Sequence, residues 1–450
     1  MSDALFDKGP PDTTAPTPEL GRGIPRLRLP HRDQVEMQML SLDQMLEAEH
    51  PARIVWQAVC ELDLSAWLAN IKAVEHEPGR HATDPRLLVA LWVYATTCGI
   101  GHARVLNKLC GPQGEVPYWW LCGGVTLNYH TLSDFRSRQG EAWDRLITQI
   151  VGTLMHEGLV TLTCVAQDGM RVEADAGKSS FRRQATLEEC LAEAREQVET
   201  LKQLLDEHPE ELTKRQAAAR ERATREREAR VRQAIENCQE LQKQRETRSK
   251  NNGEPAKEAR ASTTDADARN MKFPNGGYGP GYNVQFCTTV ESNIIVGVDV
   301  TNSGSDSEEL APMLEQLQDR YDKIPAEALV DGGFVSKEAI EAAAAKGCTV
   351  YAPPKGVAKQ EAAGKNPYEK KKGDKPAVVE WRERMGTPAA KEKYKLRAQT
   401  AEWSNMRARL RGYYRSCVRG LAKNKTLARL YVVTHNLLQG AKLRAEAVMS

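Results

Sequence analysis

The chain has 450 residues, 40% hydrophobic and 28% charged, enough to bury a proper core in two or three domains. Its longest apolar run, Leu87 to Tyr94, is too short to cross a bilayer, and its ten cysteines, with no CxxC pair or zinc-type spacing, read as buried thiols of a reducing cytoplasm. The net charge of +2 hides an uneven distribution: from Lys391 to Arg429 twelve Lys or Arg stand against two Glu, an excess suited to a polyanion such as nucleic acid.

Residues 1–30 are polar and rich in Pro, Thr and Gly, with no apolar stretch of signal-peptide type, and read as a disordered leader. Residues 31–150 read as an all-helical domain. Apolar residues recur at three- and four-residue spacing through LSLDQMLEAEHPARIVWQAVCELDLSAWL, and Asp84-Pro85 supplies an N-cap and first-turn pair for the apolar helix RLLVALWVYATTCG. Near Gly158 the period changes. LVTLTCVAQDGMRVEADA is β-branched and apolar, and predicts a buried strand, a turn at Asp168-Gly169 and a second short strand.

Residues 182–250 form a charged helical insertion. Leu187, Leu191, Ala194, Val198, Leu201 and Leu205 alternate steps of four and three, a coiled-coil seam, and His208-Pro209 then breaks the helix, which predicts an antiparallel hairpin serving as a scaffold. YNVQFCTTVES and NIIVGVDVTN predict two strands joined at Ser292-Asn293. An amphipathic helix, a strand at ALVDGG, a helix ended by Gly347 and the strand CTVYAPP follow. Residues 355–378 read as a mobile loop, and the chain from Val379 to about Gly440 as helical, with the basic excess.

The stretch ALVDGGFVSKEAI poses the functional question. A buried strand ends on Asp331 where two glycines let the backbone turn, which makes either a turn aspartate or a metal ligand at a strand's carboxyl end. Asp168 ends an earlier strand in the same way, and Glu402 lies in the basic helical stretch. Two Asp on adjacent strand ends and a Glu on a helix packed over them would make a cage of hard oxygen ligands for Mg²⁺, or Mn²⁺ in its place. Phosphodiester chemistry needs such a cage, because attack on an anionic phosphate is unfavourable until its charge is neutralised. Glu380, Glu383 and Glu392 are rival third ligands.

DGMRVEADAGKSSF around Asp168, GYNVQ at 281–285, VDGGF at Asp331, the helical DPRLLVALWVYATTCGIGHARVLNKL and the C-terminal Tyr-Arg-Glu-basic run occur together in one order. Over residues 35–440 the chain resembles the DDE transposases of bacterial insertion sequences, the group with a Tyr-Arg-Glu-Lys signature. The resemblance implies an α/β, RNase H-like catalytic core over 158–181 and 251–440, interrupted by the 182–250 hairpin and preceded by a helical domain that binds the element's DNA ends. It implies Asp168, Asp331 and Glu402 as catalytic metal ligands. In the signature two residues separate Tyr from Arg, three separate Arg from Glu and six separate Glu from Lys. Here Tyr394 and Arg397 keep the first spacing, four residues precede Glu402, and Arg409 replaces Lys. In a regular α-helix the extra residue turns Glu402 by about 100°, off the face shared by Tyr394 and Arg397.

The same resemblance implies cleavage at the element's terminal repeats, joining of the freed 3′-OH to target DNA, at least a dimer on double-stranded DNA, and a bacterial cytoplasmic, nucleoid-associated protein. An RNase H-like nuclease that does not join strands, and a non-catalytic DNA-binding or coiled-coil descendant, are the rival readings. Tyr394, Arg397, Arg407, Arg409, Arg411 and Arg419 are the candidate DNA contacts, with Arg407, Arg409, Arg411 and Arg415 wrapping one helix. Trp403 reads as core, His130 and Asp134 as surface or capping residues, and Lys355 as a solvated charge. Asn283 and Gln285 share a strand face, fit for a site contact or a structural hydrogen bond.

Overall fold

A computed structural model describes residues 39, 41–71, 73, 81–207, 213–252 and 255–449. The leader at 1–30, the first residues of the helical region and the His208-Pro209 break lie outside them.

The N-terminal part is helical: Pro51–Cys60, Ser65–Leu68, Pro85–Thr97, Ala103–Leu109, Val116–Cys122, Tyr129–Arg138 and Gly140–His156. Asp84 caps the third helix by accepting from the Arg86 amide, and Pro85 fills its first turn. That helix is apolar all round because it is buried all round; the Trp92 indole donates to the Leu132 carbonyl at 3.0 Å.

Among the described residues eight strands follow: β1 (Cys164–Glu173), β2 (Phe181–Arg182), β3 (Ala261–Ser262), β4 (Arg269–Lys272), β5 (Tyr278–Thr289), β6 (Ile295–Thr301), β7 (Glu327–Val330) and β8 (Thr349–Tyr351). β2 and β3 form a small ribbon. The other six make one mixed sheet. β4 and β6 pair with β5, β5 runs antiparallel to β1, and β7 and β8 continue parallel to β1. Asn293 takes the left-handed conformation, φ 56°, in the turn between β5 and β6.

Helices cover both faces. On one, Met313 and Leu317 of the Leu310–Tyr321 helix press on β6 where Gly297 leaves room. On the other, Tyr431 of the Leu421–Met449 helix meets Phe286, and Ser404 meets Thr288. A single hydrophobic core runs from the N-terminal helices into the sheet.

Between β2 and β3 two long helices, Gln184–Glu207 and Lys214–Asn252, pack together. Leu187 shares a small core with Ala234 and Cys238, whereas Arg227 reaches back to Gln197 and Glu193, so the helices run antiparallel. Leu187, Ala194 and Leu201 are buried and Leu191, Val198 and Leu205 half-buried, which puts the sequence's seam at their contact.

Four expectations need correction. β1 does not turn at Asp168-Gly169 but continues to Glu173. Residues 355–378 contain a helix, Val357–Ala362, and are pinned by Asp374. Burial opposes ionisation of Asp374, but Lys337, the Lys371 amide and Arg382 outweigh it and hold its pKa at about 2. The C-terminal helical run breaks after Leu410, and 411–420 form a turn and an irregular stretch bridged to β1 at Arg415, where Tyr414 and Ser416 bond the backbone of Glu173. Arg415 is therefore not on the Arg407 helix. Two cysteines expected inside, Cys60 and Cys98, are exposed.

Candidate active site

β1 and β7 lie side by side with Gln167 beside Val330, so the next residue of each, Asp168 and Asp331, end the shared ladder together. The Asp331 backbone then turns into Gly332–Phe334, and its Oδ1 accepts from the Gly333 amide at 3.0 Å. It is both a turn aspartate and a site residue: its other oxygen lies 3.9 Å from Nη2 of Arg397.

Gly169 explains why β1 runs on. A Cβ there would fall 2.3 Å from Oδ1 of Asp306, 2.6 Å from Gln285 Nε2 and 2.7 Å from Asn283 Oδ1. The glycine makes room for Asp306, which accepts from Asn283 and Gln285 and pairs with Arg171. Asn283 and Gln285 thus serve a polar cluster on the sheet face opposite Asp168. Asp306 was not singled out from the sequence, and its only signal is an acid in a serine-rich loop just after a strand.

Glu402 comes from a helix that starts at Pro388, packs on β7 and β8, and passes into a π-helical turn, Ala398–Glu402, before resuming as Trp403–Leu410. Five residues of α-helix would set Glu402 about 140° away from Arg397. The wider π turn, whose bonds run from i to i+5, absorbs the additional residue and returns Glu402 over Arg397. The expected loss of a shared face therefore does not occur.

Arg397 ties the acids together. Nη2 lies 3.0 Å from Asp168 Oδ1 and 3.9 Å from Asp331 Oδ2, and Nη1 lies 3.4 Å from Glu402 Oε1. Asn405, three residues beyond Glu402 and so on the same helix face, donates to Asp168 Oδ2 at 3.0 Å. Burial pushes the Asp168 carboxyl above its ordinary range, while Arg397 and the Gly169 amide pull it back. Burial also disfavours charge on Arg397, but Asp168 and its neighbours overcome that and raise its pKa. Tyr394 is half-buried beside this group, and burial raises its hydroxyl pKa.

The three carboxylates offer hard oxygen donors of the kind Mg²⁺ prefers. In this structure the positive charge among them is the guanidinium, and among the described residues no set of three His, Cys, Asp or Glu side chains is close enough to hold an ion. The rival glutamates do not join the group: Glu380 and Glu383 are exposed on the Pro376–Gly386 helix, and Glu392 pairs with Lys395 at 2.6 Å.

Residues 247–437 match the family model described as the transposase DDE domain. Over that stretch the chain is similar to a transposase DDE domain. Asp331 and Glu402 fall inside the match. Asp168 and most of the helical hairpin precede it, and the fold, through β1, brings Asp168 beside Asp331 and Arg397 within it. Comparison with curated proteins and with solved structures gave no match.

The candidate DNA contacts separate by exposure. Arg407 lies over the Trp403 ring at 5.4 Å and, with Arg409, is exposed; Arg419 is half-exposed and bonds Asp175. Arg411 turns inward beside Tyr431, where burial lowers its pKa and Nη1 has no hydrogen-bond partner. Trp403 packs edge-on to His435. Asp134 pairs with Arg138, His130 lies against Tyr129, and Lys355 is exposed. No helix among the described residues is long and apolar enough to cross a membrane.

Proposed function

We propose that the chain is a DNA transposase that cleaves the ends of its own insertion sequence and joins the freed 3′-OH to target DNA. One observation carries the reading: Asp168, Asp331 and Glu402, far apart in sequence, meet at a single guanidinium. Burial disfavours charge on Asp168, and that cation, or a better one in its place, offsets the burial.

Asp168, Asp331 and Glu402 would hold Mg²⁺, or Mn²⁺, once Arg397 withdraws. When bound, a pair of such ions makes water a nucleophile at neutral pH and neutralises charge on the leaving oxygen. Asn405 keeps Asp168 oriented, and the turn amide of Gly333 does the same for Asp331. Arg397, released from the acids, can meet a phosphate with the same planar fork. Tyr394 lies within its reach. Arg407 and Arg409 contact the DNA backbone from the exposed side of the following helix, with Arg419 nearby.

The sheet supports an RNase H-like core: three antiparallel strands, then two parallel to the first, with Asp168 inside the first strand and Asp331 at the end of its parallel neighbour. The helical hairpin is a coiled-coil insertion into that core, and the N-terminal helices read the terminal sequence. Pairing two element ends calls for at least a dimer.

The test is an oligonucleotide assay using duplex DNA from either side of the gene, with Mg²⁺ supplied. Cleaved ends with a 3′-OH and a joined product are expected, and both should vanish in Asp168→Ala, Asp331→Ala and Glu402→Ala. Cleavage without joining would convert the reading to a nuclease. Binding without cleavage, unchanged in the three variants, would overturn the enzyme altogether.

A further inference from the structure

We propose that the groove at the root of the helical hairpin is a second DNA-backbone site, gripping the duplex away from the point of cleavage; this rests on the transposase reading. The hairpin is electrically lopsided. Helix Gln184–Glu207 has seven acidic and two basic residues, and helix Lys214–Asn252 has twelve basic and six acidic.

Along the outer part the imbalance is largely cancelled. Arg227 faces Glu193, Arg195 and Arg232 share Glu228, and Arg225 and Arg230 pair with glutamates one turn earlier. At the root it is not. There a groove of about 900 Å³ opens between the second helix and the β4–β5 edge of the sheet. Lys178, Arg248, Lys257 and Arg260 line it, none with an ion-pair partner among the described residues. The groove also contains three glutamates: Glu258 is held by Arg183, Glu240 accepts from Gln244, and Glu308 stands against the basic set.

Two further features favour a nucleic-acid backbone. Arg245 donates to the carbonyls of Lys257 and Glu258 at 3.2 and 2.7 Å, which fastens the segment carrying Lys257 and Arg260 against the helix. The basic side chains are therefore presented on a braced surface, at reduced ordering cost. Tyr278 is 57% exposed within the same groove, an aromatic face beside cations.

Position fixes where the grip falls. Tyr278 and Phe286 are the start and the ninth residue of β5, and Phe286 pairs with Asp168. Eight residues of strand span about 26 Å, which is about eight base pairs of straight duplex at 3.4 Å each. The groove residues thus meet phosphates about eight base pairs from the scissile bond, not at it.

The experiment uses the full chain, a fluorescein-labelled random-sequence DNA duplex and anisotropy at several NaCl concentrations. The variant Arg248→Glu/Lys257→Glu/Arg260→Glu should lose at least about tenfold in affinity, and its log K against log salt should be shallower by about two to three. Arg215→Glu/Arg220→Glu/Arg222→Glu, an equal charge change at the hairpin's far end, should keep the wild-type slope. Arg248→Lys/Arg260→Lys should bind as wild type. Thermal melts confirm that each variant folds, which these exposed positions allow. A folded root variant with unchanged affinity and slope overturns the proposal, as does an equal loss in the far-end variant. A wild-type protein with no affinity for duplex DNA would instead overturn the transposase reading beneath it.

Discussion

Replacing Arg397 with Gln removes the guanidinium shared by the three acids and leaves a neutral side chain in its place. Two of its contacts carry little energy. Asp331 and Glu402 are 58% and 61% exposed, at 3.9 and 3.4 Å, and pairs of that kind contribute about 0–1 kcal/mol each. The contact with Asp168 is different: both side chains are shielded, 10% and 18% exposed, at 3.0 Å. Taking away one partner strands a buried charge, which costs about 3–5 kcal/mol. Burial already raises the Asp168 pKa, and without Arg397 the carboxyl takes up a proton more readily. Proton uptake holds the loss near the lower figure, about 3 kcal/mol. A divalent cation should restore much of it, since an ion at a hundred times its Kd stabilises by about 2.7 kcal/mol. Arg397→Gln should therefore gain more from Mn²⁺ than wild type does, because in wild type the ion must displace the guanidinium. Urea titrations followed by tryptophan fluorescence, in EDTA and in Mn²⁺, measure both quantities. A variant as stable as wild type in EDTA, or an equal gain from Mn²⁺ in the two proteins, would refute the reasoning.

Other outcomes follow from the same geometry. Gly169→Ala puts a methyl into Asp306, Gln285 and Asn283 and should cost about 1–3 kcal/mol in a urea titration; an unchanged midpoint would show that Asp306 is free to move. Deleting Gln399, which is exposed in the π turn, should leave an ordinary helix with Arg397 and Glu402 four residues apart, still on one face. That deletion should retain folding and DNA cleavage, and loss of cleavage in a folded protein would show that the π turn itself is needed. Arg409→Ala should weaken binding of random-sequence duplex and flatten its salt dependence by about one, whereas Arg411→Met, changing an inward residue, should leave that slope alone.

Much of the site is legible in the sequence because strand ends are. Ala328-Leu329-Val330 is buried, and the charge after it stands where the Gly-Gly turn begins, so Asp331 is visible from its neighbours alone. Asp168 is visible as the acid after the apolar Cys164-Val165-Ala166, but it lies inside β1, and the glycine after it misleads. It reads as a turn, whereas its lack of a Cβ serves Asp306, more than a hundred residues later. The π turn is hidden too. Local spacing describes a regular helix, and the extra residue is absorbed only because both ends are held, by packing on β7 and β8 before it and by Ser404 on Thr288 after it. The break at 411–420 escapes the basic pattern because its cause is tertiary: that stretch bonds the end of β1 and Gly101. The short strand β4 escapes for want of length. Its four residues are strand because β5 offers an edge.

The shared cation site is tested most directly by a crystal structure of the full chain in Mn²⁺, read in anomalous difference density. The account predicts density bounded by the carboxyl oxygens of Asp168, Asp331 and Glu402, with the Arg397 guanidinium displaced from among them. Saturating Mn²⁺ with no density there, and Arg397 still paired to all three acids, would contradict it.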